Sequence, residues 1–154
     1  MSDPRKIDRA DMVEALWPTI GPHTAESVIE AARGIEELWR YLAHATRNRE
    51  AAALSAPADV YAAVGALKQG AHSAVQVVRQ LQNWAAYVSS VDGLARDDDR
   101  ADPERAAATA DYAVDCLYDA RQGMAQHAAA LEQVAAALSH LYIADRGEVE
   151  EGQR

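Results

Sequence analysis

The sequence has no phenylalanine, one cysteine (Cys116) and two lysines (Lys6 and Lys68). A lone cysteine excludes an intramolecular disulfide framework. With Val114 and Leu117 beside it, Cys116 is expected to be a buried small hydrophobe. The scarcity of lysine removes the usual phosphate clamp and amine nucleophile. No apolar run reaches the length of about eighteen residues that a transmembrane helix needs. The opening Met1-Ser-Asp-Pro-Arg-Lys-Ile-Asp8 lacks the apolar centre of a signal peptide, so a cytoplasmic location and no membrane association are expected. Glycine and proline are few and cluster at a handful of places, and β-branched runs are missing.

What is present is alanine. Apolar residues make up 49% of the 154 positions, enough for one modest core, and alanine supplies much of that share. Alanine is the strongest helix former and loses no side-chain entropy on ordering. It also lets helix axes approach closely while covering little area. The formal charge of -9 repels phosphate backbones, so nucleic acid is not the expected partner. The densest basic run, Arg40, Arg47 and Arg49, reads as a solvated helix end, where cations suit the dipole.

Apolar spacing predicts four helices. A short one is expected from Asp8 to Trp17, carrying Met12, Val13, Leu16 and Trp17, and broken by Pro18, Gly21 and Pro22. The next starts after an N-cap at Thr24 and carries Val28, Ala31, Ile35, Leu38, Leu42 and Ala45, with an end near Ala53. Ser55 is expected to cap a third, over 58–93. Its seam is Val60, Val64, Leu67, Ala71, Ala74, Val78, Leu81, Ala85 and Val88, and Val77, Trp84 and Val91 form a second row. Asp102 and Pro103 open a fourth over 103–143, with Val114, Leu117, Arg121, Met124, Ala128, Leu131, Ala135, Leu138 and Tyr142 on one face. Arg121 in that seam is expected to meet an acidic partner or to send its head to water along its apolar stem.

These lengths imply an all-α fold: an elongated antiparallel bundle of three long helices plus a short N-terminal one, packed in coiled-coil fashion. One domain is expected over residues 8–146, with flexible termini at 1–7 and 147–154. Broad apolar faces that one hairpin cannot cover point to a homodimer.

Chemistry is harder to find. The paired Glu-x-x-His of di-iron bundles is missing, and the five histidines (His23, His44, His72, His127 and His140) are scattered. Asp111, Asp115 and Asp119 form a row of like charge at helical spacing, read as a wetted face. No catalytic set, metal site or cofactor is expected. Arg121-Gln-Gly-Met-Ala-Gln-His127 resembles the Arg-x(4–6)-His element of HEPN-type ribonucleases. The resemblance implies acid/base work for His127 and phosphate binding for Arg121. It covers two residues, and this composition supplies about one such match by chance. Asn83-Trp84-Ala85 has the tryptophan of WXG-type helical hairpins, but within a heptad run rather than a turn. The aromatic set Trp17, Trp39, Tyr41, Tyr87, Tyr112 and Tyr118 offers an alternative use, lining a ligand pocket between helices.

The function expected from the residues is that of a non-enzymatic helical interaction module: an adaptor, regulator or assembly component working through an apolar helix face. Trp17, Trp39, Trp84, Tyr87 and Val91 are the expected contact residues, because large side chains outside the main seam anchor interfaces. The acidic rims suit a protein partner with a basic surface. The alternatives are a small-molecule-binding helical sensor and a HEPN-like ribonuclease using Arg121 and His127.

Overall fold

The computed structural model describes residues 8–47, 53–98 and 102–143. They form four helices and, among the described residues, no strand: α1 (Arg9–Leu16), α2 (Ala25–Ala45), α3 (Pro57–Val88) and α4 (Pro103–Leu138). The all-α expectation therefore holds. The expected flexible segments 1–7 and 147–154, and Arg49 of the basic run, lie outside the described residues. The chain divides into two compact units, Met1–Ala53 and Leu54–Arg154.

In the first unit, the Asp8 carboxylate accepts from the Ala10 amide to cap α1. Trp17 follows the helix, its amide bonded to the Val13 carbonyl. Its ring lies over Gly34 of α2, where an added Cβ would sit 3.3 Å from Trp17 Cη2. Thr24 and Ser27 cap α2 reciprocally: Thr24 Oγ1 accepts from the Ser27 amide and Ser27 Oγ from the Thr24 amide. The helix stops at Ala45, well before the expected end near Ala53. Thr46 is the C-cap, its amide and its hydroxyl both donating to the Leu42 carbonyl.

The second unit is a hairpin. α3 and α4, of 32 and 36 residues, run about 48 and 54 Å at 1.5 Å per residue. They pack on each other through a connection that begins with tight turns, Ser90 to Tyr87 and Leu94 to Val91. A chain folded so tightly cannot travel back along a helix of this length, so the pair is antiparallel. Pro57 opens α3 at its first position, and Ala56 rather than Ser55 is the N-cap. Asp59 compensates for the missing cap side chain by accepting from the Ala56 amide at 3.1 Å. α3 ends at Val88, short of the expected 93, where Ser89 and Ser90 turn their hydroxyls onto the Ala86 and Tyr87 carbonyls. Gly93 adopts the left-handed conformation at φ +83 that the turn requires. Arg96 braces the turn, bonding Asp98 in bidentate fashion and Thr109 Oγ1 of α4 at 2.9 Å. Asp102 caps α4 through the Arg105 amide, as expected.

The deepest positions are all alanine: Ala71 and Ala85 on α3, and Ala106, Ala128 and Ala135 on α4. α4 ends at Leu138, short of the expected 143, so Tyr142 of the expected seam lies beyond the helix and is exposed, as is Met124. Two further differences from the expected seam have physical causes. On α4 the seam begins earlier, at Ala106 and Ala110, because alanine serves as core here as well as filler. On α3 it turns partway along. Val60, Val64 and Leu67 face inward as expected, but further on Gln82 and Ser89 are half-buried while Leu81 is exposed. A straight helix falls behind a seven-residue repeat by about 20° per heptad. Late in the helix this drift moves the inward position at 81 on to Gln82, while Ala85 stays buried and Val88 and Ser89 are both half-buried.

Candidate functional site

One apolar row of α3 is left facing away from α4. Val77, Leu81 and Trp84 are exposed, with Val88 half-buried at the end of the same line. Tyr87 lies on the outer flank of the row, exposed, and Val91 sits exposed in the turn that follows. Between residues 60 and 91 the ionisable side chains, tyrosine aside, are Lys68, His72 and Arg79. At about 100° per residue, all three fall roughly 120–180° away from the Val77–Trp84 line. One side of α3 is thus apolar to neutral-polar along most of its length, in a chain that is 25% charged. Ser73, Gln76 and Gln80 fill the flank beside Tyr87.

Of the five expected contact residues, the structure gathers Trp84, Tyr87 and Val91 at one end of this face. Trp39 is exposed on α2, close to the ion pairs that Arg40 makes with Glu36 and Glu37 at 3.2 and 2.9 Å. Trp17 is half-buried against Gly34, so part of its area is spent inside its own unit. The α2 stripe is also open, with Val28, Ile35 and Leu38 exposed. The leading member of the basic run, Arg40, is already neutralised by its two glutamates.

Cys116 is a correction: it is exposed, not buried. It falls on the wet side of α4, one turn after Tyr112, since the seam there runs through Val114 and Leu117. Interaction with the Cys116 side chain, with a lesser contribution from desolvation, pushes the Tyr112 phenol above its ordinary pKa. Arg121 is half-buried, its guanidinium carbon 5.2 Å from the Tyr118 ring centre. Tyr118 also accepts from Gln122 Nε2 at 2.9 Å. His127 is exposed, and six residues of helix set it about 120° around α4 from Arg121. Asp111, Asp115 and Asp119 are all exposed. Among the described residues no group of three His, Cys, Asp or Glu side chains is placed to hold a metal ion. Nor is any described helix long and apolar enough to cross a membrane.

Periodicity placed Val77 and Trp84 in a second row but gave no sign that Leu81 leaves the seam to join them. The signal that carries it is the angular distribution of charge along α3. No family model, no curated protein and no solved structure matches the chain.

Proposed function

We propose that the protein is a non-enzymatic helical interaction module, an adaptor, regulator or assembly component, and that the outer face of α3 is its contact surface. The observation that supports this reading is the exposed, uncharged side of α3 centred on Val77, Leu81 and Trp84. Water contact along such a row is unfavourable at about 25 cal/mol per Å² of apolar area, and burial against another helix relieves it. Trp84 and Tyr87 are the anchors, since large aromatics contribute most of the binding energy at such surfaces.

The test is site-directed photocrosslinking in the host cell. A p-benzoylphenylalanine in place of Tyr87 is expected to give a protein adduct of discrete mass, and the same probe in place of Arg79, on the charged side, none. Equal adducts at both positions, or none at either, would contradict the reading.

A further inference from the structure

We infer that the occupant of the α3 face is the same face of a second copy, the two α3 helices crossing antiparallel about a two-fold axis between Val77 and Leu81. The inference rests on the interaction reading above and names its partner. Three observations carry it.

The first is size along the row. From its N-terminal end it reads Gly70, Ala74, Val77, Leu81, Trp84 and Val88, small residues first and large ones after. A two-fold pairing is isologous, so each residue meets a partner from the other end of the row. With the axis between Val77 and Leu81, Trp84 stacks on Ala74, Val88 on Gly70, and Val77 on Leu81. Each layer then holds one large and one small side chain, or two of middle size. A parallel pairing would stack Trp84 on Trp84 and Gly70 on Gly70. Space also exists where it is needed: a Cβ added at Gly70 would meet nothing within 4 Å.

The second observation is area. Val77, Leu81, Trp84 and Tyr87 are 52, 49, 64 and 67% exposed. For side chains of these sizes, covering all of that surface would bury roughly 500 Å² per copy and about 1,000 Å² for the pair, at the low end for a specific interface. The third is charge. Self-pairing sets every charge opposite its own kind near the axis, and Lys68, His72 and Arg79 all lie on the far side of the helix.

The experiment is sedimentation equilibrium on the full chain, with helicity followed by circular dichroism. The wild type is expected to dimerise at micromolar concentration. Trp84→Ala is expected to raise the dissociation constant about thirtyfold, the effect of losing one strong anchor. Ala74→Trp alone, which sets tryptophan against tryptophan, should weaken the dimer comparably. The double variant Ala74→Trp/Trp84→Ala restores one tryptophan and one alanine to each layer, and should return the constant to within about threefold of wild type.

A dimer that Trp84→Ala weakens but the double variant does not rescue would overturn the antiparallel register while leaving the contact surface in place. A wild type that stays monomeric, with Trp84 either open to quencher or covered from within its own chain, would overturn the second copy as occupant. The crosslinking at position 87 then decides the interaction reading separately. A dimer indifferent to all three variants would overturn both.

Discussion

At the scale of single residues, the hairpin depends on what alanine permits. Ala128 is 2% exposed, the most buried of the alanines on the α4 side that packs against α3. Ala128→Leu forces extra volume there and is expected to cost about 1–3 kcal/mol, read as a lower midpoint in urea. Gly123 is the opposite case. A Cβ there meets nothing within 4 Å, so Gly123→Ala removes backbone freedom from the unfolded chain without a clash. It should stabilise by about 0.5–1 kcal/mol and leave self-association unchanged. On the wet side of α4, the raised Tyr112 pKa has Cys116 as its leading cause. Cys116→Ala removes that leading cause, so the phenol should ionise at lower pH. Tyrosine resonances in an NMR titration report this directly, and an unmoved Tyr112 would refute the assignment.

At the scale of elements, caps decide where the helices begin. Asp102 accepts from the Arg105 amide at 2.9 Å and starts a 36-residue helix next to a sharp turn. Asp102→Ala should cost about 1 kcal/mol, measured by chemical denaturation. The Arg40 pairs with Glu36 and Glu37 are more than half exposed on every side chain, and Arg40→Ala should change stability by less than about 0.5 kcal/mol. Helix starts were largely legible in the sequence because their signals are local: Thr24 and Asp102 cap the helices expected of them, while the cap expected at Ser55 falls on Ala56. Ends were less legible: α2 and α3 stop at Thr46 and Ser89, whose hydroxyls bond back to carbonyls, but Ser73 and Thr109 make the same bonds inside helices, so the residue type does not announce an end. The Ala106–Ala110 extension of the α4 seam was hidden for another reason. Alanine sits equally well inside and outside, so its burial depends on the partner helix.

At the scale of the whole molecule, the central question is what α3 does with the side that α4 leaves open. The expected contact residues Trp84, Tyr87 and Val91 were legible as large side chains outside the main seam. Leu81 was not, because its exposure follows from the drift of a straight helix against a seven-residue repeat. The most direct measurement is native mass spectrometry of the protein purified from its own host, wild type beside Trp84→Ala. The predicted result is an assembly of protein mass alone, a dimer in the wild type, that falls to the single-chain mass in the variant. A wild-type single chain carrying an added small-molecule or metal mass, with the same spectrum for Trp84→Ala, would contradict it.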